Sequence, residues 1–322
     1  MRPDPDSAAV SVEEGAEDAR RSSPVDGKAA AAEDTGIVSV FLELTKPRLA
    51  FLSTLTGLAG YLAAPGAVEW VPFLCVTAAV FLSASGALAL NQWIEHDTDA
   101  RMERTRQRPL PAGRTSRPAA LAFGAGTGAA GLGLSAVALP LLATGLIALT
   151  IAVYLLAYTP LKKRSPWCTH VGAIPGAIPP LIGWAAATGS IGGLGVWLAL
   201  IVLLWQMPHF FAIAWLCQSD YEKGGLRVLS VSHPDGRRLT AENYLYLFLL
   251  FPVCLAPTLA GQTGWVYGIS SIVLNLLFLF EGVRFAATVR SGGRTGNRLF
   301  VYSLLYLPVL LVFLLFDRTP VS

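Results

Sequence analysis

Apolar runs of about twenty residues recur along this chain, separated by short polar loops, and runs of that length predict membrane-crossing helices. Nine are legible, near residues 46–65, 71–95, 118–138, 141–160, 169–188, 194–217, 243–261, 264–286 and 298–316. The stretch 118–160 contains no charged residue and is divided by Pro140, so it reads as two helices. Only helices satisfy their own backbone polar groups in lipid when the pattern is one of long continuous runs, which makes the chain all-α and polytopic.

The loops between the runs alternate in charge. Lys and Arg number six in 101–117, three in 162–164, four in 223–238 and four in 284–298. The intervening loops near 66–70, 139–141, 189–193 and 262–263 have none. By the positive-inside rule the N-terminus is expected in the cytoplasm and the C-terminus outside, and a miscounted helix would destroy the alternation. Composition agrees, with 53% hydrophobic and 14% charged residues, against roughly 25% charged in soluble domains. The basic residues sit in short loops between apolar runs, so the net charge of +3 gives no sign of a nucleic-acid partner. Residues 1–36 carry nine acids and four bases with no apolar run, and read as a disordered cytoplasmic tail before a membrane domain over 37–322. The tail has neither the apolar segment of a signal peptide nor the Arg-rich, acid-poor composition of a transit peptide, which points to a bacterial plasma membrane. Cys75, Cys168, Cys217 and Cys254 are scattered without CxxC spacing and are expected to be packing residues.

The chemistry is concentrated in NQWIEHDTDARMERTRQRPLPAG, Asn91 to Gly113. The chain beyond residue 36 has only twelve acids, yet Glu95, Asp97, Asp99 and Glu103 fall within nine residues, followed by Arg101, Arg104, Arg106 and Arg108. Acids at a membrane edge are costly unless paired or metal-bound. Asn91, Glu95 and Asp99 are four residues apart, so they share one helix face over two turns, and Asp97 points roughly the other way. Oxygens on such a face suit Mg²⁺, which is completed by phosphate and water, and the arginines offer forked donors for a diphosphate. The small residues Ser83 to Ala87 allow close helix approach. On spacing alone, an ion-paired helix end followed by topogenic arginines also fits. A second cluster, Trp205 to Gly225, again ends an apolar helix in acids, Asp220 and Glu222, and holds His209 among Trp205, Phe210, Phe211 and Trp215. Two acidic sites on two helix ends could grip a metal diphosphate from opposite sides. The alternatives are a loop acid for Asp220 and a hydrogen-bonded structural imidazole for His209.

These segments, with L-T-K-P-R at Leu44 to Arg48, Y-T-P-L-K-K-R at Tyr158 to Arg164 and G-A-I-P-G-A-I-P-P-L-I-G-W at Gly172 to Trp184, resemble the UbiA-type membrane prenyltransferases over about residues 40–316. Pro208-His209-Phe210 and the Gly172–Trp184 segment are similar to the haem-modifying branch, since the quinone and chlorophyll branches typically have an acid where His209 stands. The resemblance implies a helical bundle around a central apolar cavity that takes farnesyl diphosphate. It implies Mg²⁺ on Asn91, Glu95, Asp99 and Asp220, diphosphate contacts from Lys46, Arg104, Arg108, Tyr158 and Lys162, and transfer of the farnesyl group to a vinyl group of haem b. His209 is the expected haem-side residue, and haem A synthase the expected protein partner. Pro175, Gly176, Pro179 and Pro180 are expected to break the fifth helix where it lines the cavity. The chain departs from the family pattern in having Glu95 for the more usual Asp, and Arg227 and Ser230 where the loop after Asp220 usually has prolines, which puts that loop's rigidity in question. Prenyl transfer to a 4-hydroxybenzoate-like quinone precursor is the runner-up. A cation-coupled transporter is the alternative of another class, though no acid lies at a predicted helix midpoint.

Overall fold

The structure is a computed structural model that describes residues 36–319. The tail expected over 1–36 lies, apart from Gly36, outside the described residues. In chain order the helices are α1 (Ile37–Thr45), α2 (Pro47–Ala63), α3 (Trp70–Asp99), α4 (Arg117–Ala138), α5 (Leu141–Ala152), α6 (Thr159–Leu161), α7 (Cys168–Ala177), α8 (Pro179–Thr188), α9 (Gly193–Leu216), α10 (Gln218–Lys223), α11 (Leu229–Ser232), α12 (Arg237–Leu259), α13 (Trp265–Arg290) and α14 (Asn297–Phe316). Among the described residues there is no strand, only an isolated bridge between Thr263 and Arg318.

Among the described residues eight spans are long and apolar enough to cross a membrane, counting Leu141–Leu161 and Cys168–Thr188 each as one. The ninth expected helix is α2, whose 17 residues rise about 26 Å at ~1.5 Å per residue, a little less than a ~30 Å hydrocarbon core. Side chains such as Val137, Leu156, Phe248 and Val312 are exposed on these helices, as lipid-facing residues must be. The chain is a multi-pass membrane protein. Three boundaries move outward by more than one residue from the sequence reading. The second expected helix ends not at 95 but at Asp99, α12 begins at Arg237 rather than 243, and α13 ends at Arg290 rather than 286. The first two extensions are polar turns, which apolar periodicity does not mark.

Two spans are irregular where the sequence carries proline. Cys168–Thr188 breaks at Ile178, between α7 and α8, because Pro179 and Pro180 have no N–H for the ladder. In Leu141–Leu161 the turns widen to π geometry over Val153–Tyr158, just before Pro160. A proline ring clashes with the carbonyl four residues back, and a widened turn relieves that clash.

Packing depends on close backbone approach. A Cβ added at Gly183 would lie 1.8 Å from the Gly57 carbonyl oxygen, and one at Gly60 would lie 1.9 Å from that of Pro180, so α2 and α8 meet almost backbone to backbone. Gly86 meets Gly124 and Gly128 in the same way, which joins α3 to α4. One apolar core, including Phe211, Leu250, Phe278 and Leu310, gathers α9 with α12, α13 and α14. Another, including Val76, Ile147 and Ile182, gathers α3, α5 and α8.

Candidate active site

The extension of α3 to Asp99 makes the acidic motif wholly helical, and its intended face is inward. Asn91, Glu95 and Asp99 are 1%, 7% and 1% exposed, whereas Asp97 faces out and pairs with His96. Each inward group meets a partner from another part of the chain. The Asn91 amide nitrogen donates to Thr159 Oγ1 at 3.1 Å, and Thr159 in turn donates to the Tyr154 carbonyl at 2.8 Å. Glu95 accepts from Lys162 Nζ at 2.8 Å, and Asp99 Oδ2 accepts from Arg108 at 2.6 Å. Thr105 Oγ1 donates to the Asp99 carbonyl at 2.9 Å, folding the arginine loop back over the helix end.

Lys46 completes this ring of charge. It sits at the N-terminus of α2 with φ 46°, the only non-glycine residue with positive φ among the described residues. Such a conformation costs on the order of 1–3 kcal/mol and persists where surrounding contacts hold it. Burial, then the nearby Arg108 and Lys162 charges, lower its pKa to about 7, against the opposing pull of Glu95 and Asp99. Burial also acts against the Lys162 ammonium, but Tyr158 and the Glu95 carboxylate outweigh it and hold that pKa above the usual lysine value. Lys162 Nζ lies 4.5 Å from the centre of the Tyr158 ring, a cation–π contact.

Behind the charged groups opens an apolar cavity of about 280 Å³. Its wall includes Leu49, Ser83, Ala87, Ile147, Tyr154, Tyr158, Gly172, Pro175, Gly176, Pro179, Gln206 and Phe210. The broken fifth span therefore lines the cavity, as expected of irregular backbone at membrane depth. Tyr158 abuts Gly172, where an added Cβ would come within 2.5 Å of the ring.

The second motif reaches the first through the backbone. Asp220 accepts the main-chain N–H of Glu103 at 3.2 Å and of Arg104 at 3.0 Å, and the Arg104 guanidinium lies over the Tyr221 ring at 5.8 Å. Glu222 is exposed. The loop beyond, without its expected prolines, is held by other means. Arg227 N–H donates to the Lys162 carbonyl at 2.7 Å, Ser230 Oγ donates to the Ala214 carbonyl at 2.6 Å, and Leu226, Val228 and Leu229 are buried. His209 stands apart from the cavity. Its ring lies between Trp205 and Phe300, with centroids 5.6 and 5.0 Å away, and Nδ1 is 2.8 Å from Ser303 Oγ.

Among the described residues no three acidic, His or Cys side chains come close enough to cage a metal unaided. That fits Mg²⁺, which uses one or two protein carboxylates with phosphate and water. The buried Asp99 Oδ1 has no hydrogen-bond partner among the described residues and suits such an ion as a hard-oxygen ligand. Sequence reading passed over Tyr154, Thr159 and Gln206. Tyr154 lies four residues before Tyr158, and Gln206 is a polar residue inside an apolar span, which is a functional signal by itself.

The fold has solved counterparts. A digeranylgeranylglyceryl phosphate synthase structure matches 87% of this chain and 98% of its own with a TM-score of 0.72 at 18% identity. A UbiA homolog from Archaeoglobus fulgidus bound to DMAPP and Mg²⁺ matches 86% and 98% with a TM-score of 0.64 at 14% identity. In sequence, the protoheme IX farnesyltransferase of Solibacter usitatus is 41% identical over 86% of this chain and 98% of its own length. The UbiA prenyltransferase family profile matches residues 50–305. With a paired acid and base ring over an apolar cavity, and with that profile running from α2 into α14, this chain belongs to the UbiA prenyltransferase family.

Proposed function

We propose that this prenyltransferase transfers the farnesyl group of farnesyl diphosphate to a vinyl group of haem b, with addition of water, giving haem O and diphosphate. The observation that carries the reading is the ring of Lys46, Arg108 and Lys162 around Glu95 and Asp99, with Lys162 over Tyr158, a residue of the apolar cavity wall. Its acceptor follows the protoheme IX farnesyltransferases that the chain resembles at about 40% identity. Without substrate, each carboxylate is neutralised by a cation. With substrate, the cations turn to the diphosphate and the carboxylate oxygens become available for Mg²⁺. Asn91, Glu95 and Asp99 would hold Mg²⁺, completed by diphosphate oxygens and water, and Asp220 would grip the metal diphosphate from the opposite side. When bound, the ion withdraws charge from the diphosphate and so eases ionisation of the allylic C–O bond.

The chain's own groups do the rest. Lys46, Arg104, Arg108 and Lys162 bind and orient the diphosphate and stabilise the charge it acquires as it leaves. Asp220, by fixing the backbone of residues 103 and 104, holds the arginine loop in place. The cavity wall excludes water from the allylic cation until the haem vinyl carbon attacks. Water then captures the cation left on the former vinyl group and a proton is released. His209 serves the haem side. An N-terminus in the cytoplasm, where the soluble diphosphate is met, is supported by the positive loops, and a haem A synthase partner would receive the product. The test is to incubate membranes containing the protein with farnesyl diphosphate, Mg²⁺ and either haem b or 4-hydroxybenzoate, and to analyse products by mass. Prenylation of 4-hydroxybenzoate alone would overturn the haem reading, and no prenyl transfer at all would overturn the reaction class.

Two results are expected at the diphosphate grip. Arg108→Ala should raise the concentration of farnesyl diphosphate needed for half-maximal rate about 10- to 100-fold, from loss of a charge-assisted bond of ~1.5–3 kcal/mol. Unchanged concentration dependence would make the arginine purely topogenic. Diphosphate binding should also depend on pH through Lys46. Its ligand-free pKa is about 7, and a bound anion raises it, so binding takes up a proton above that pH. Affinity should be flat with respect to this group below about pH 7 and weaken by up to about tenfold per pH unit above it. Lys46→Arg, which keeps its charge, should abolish that slope in calorimetric titrations, and a persisting slope would assign the proton to another group.

A further inference from the structure

His209 is the one expected haem-side group, and its surroundings determine which ring nitrogen is free. Ser303 of α14 lies 2.5 Å from the Phe300 carbonyl through its Oγ and 2.8 Å from His209 Nδ1 through the same atom. Two oxygens 2.5 Å apart need a proton between them, and the carbonyl has none, so the single hydroxyl proton of Ser303 points at Phe300. Ser303 Oγ is then an acceptor toward the imidazole, and Nδ1 must carry the imidazole proton. The same residue grips the ring from its other side as well. Its main-chain carbonyl accepts the indole N–H of Trp205 at 2.8 Å, and Trp205 stacks on His209 at an interplanar angle of 22°. Phe300, one turn earlier on α14, also stacks on the ring, at 27°. The imidazole is thus fixed in tautomer, plane and height by contacts centred on a serine that is 0% exposed.

We infer that Ser303 is a positioning residue that holds His209 as the Nδ1–H tautomer and presents the Nε2 lone pair to haem. The inference rests on the haem role proposed for His209. Imidazoles that ligate metals show the same arrangement, with the second nitrogen donating to a fixed acceptor that sets tautomer and basicity. Trp205 and Phe300 add the rotational restraint that one hydrogen bond cannot give.

The experiment uses the full chain in detergent, titrated with haem b and followed by its Soret band, alongside farnesyl diphosphate binding. His209→Ala should abolish the ligation-shifted Soret band. Ser303→Ala should weaken haem binding about 10- to 100-fold and alter the band, and Ser303→Thr, which keeps the hydroxyl, should restore both. Farnesyl diphosphate affinity should stay unchanged throughout. If Ser303→Ala leaves the haem spectrum and affinity as in the wild type while His209→Ala destroys them, Ser303 only packs α14 on α9 and the positioning role is lost. If His209→Ala changes neither, the haem role of His209 fails first. Should Ser303→Ala not fold, ¹⁵N resonances of the haem-free wild type decide, because a protonated Nε2 with a bare Nδ1 would overturn the tautomer assignment.

Discussion

Replacing Asp99 with asparagine is expected to lower Mg²⁺-dependent turnover by about two to three orders of magnitude, the scale seen when one electrostatic stabiliser of a developing charge is removed. Asp99 ends α3, but it is buried there. Asp99 is 1% exposed and its Oδ2 accepts from Arg108 at 2.6 Å, so the neutral amide also leaves a guanidinium without its counter-charge. A stability loss of ~1–3 kcal/mol should accompany the loss of activity. Arg108 is itself 20% exposed and can turn to water, which keeps the cost from the upper range of broken buried pairs. The measurement is turnover against Mg²⁺ concentration, with a thermal melt to establish the folded fraction. Asp97→Asn, on the exposed side of the same helix, is the control and should change neither. Near-normal turnover by folded Asp99→Asn protein would remove the carboxylate from the metal site.

The i, i+4, i+8 spacing of Asn91, Glu95 and Asp99 was sufficient to place them on one inward face, because helical period is a property of the chain itself. The break at Ile178 was equally legible, since prolines delete donors wherever they stand. The partners of those acids were not legible. That Lys162 meets Glu95 and Arg108 meets Asp99 depends on how α5 and α6 lie against α3 and on the path of the arginine loop, and neither leaves a local sequence signal. The π-helical turns that bring Tyr154 and Tyr158 to the cavity are similarly hidden, because Pro160 announces a disturbance without saying whether the helix will kink or widen. The setting of Asp220 was not legible either, since its two oxygens accept backbone N–H groups of the first motif, a contact between segments more than a hundred residues apart. The loop with Arg227 and Ser230 shows the converse. Missing prolines suggested looseness, but buried hydrogen bonds supply the restraint that prolines would have given.

The largest expected effect on stability lies far from the acids, at Gly183. An alanine methyl there would sit 1.8 Å from the Gly57 carbonyl oxygen and 2.7 Å from the Tyr61 backbone nitrogen. Backbone atoms have no rotamer to change, so α2 and α8 must separate along a contact that Gly60 and Pro180 continue. The cost should exceed the ~1–3 kcal/mol of ordinary overpacking, in which flexible side chains give way. Gly126→Ala is the matched control. It adds the same methyl in a membrane span where nothing among the described residues lies within 4 Å, and glycine is the poorer helix former by about 1 kcal/mol, so it should be neutral or slightly stabilising. Activity should follow the helix that moves. The N-terminus of α2 is Lys46, held in a left-handed conformation beside Arg108 and Lys162, and α8 continues the span that lines the cavity. Gly183→Ala protein that survives purification should therefore bind farnesyl diphosphate more weakly as well as melt earlier. Equal melting of the Gly183→Ala and Gly126→Ala proteins would mean that α2 and α8 do not meet this closely, and the placement of Lys46 beside Arg108 and Lys162 would lose its structural support.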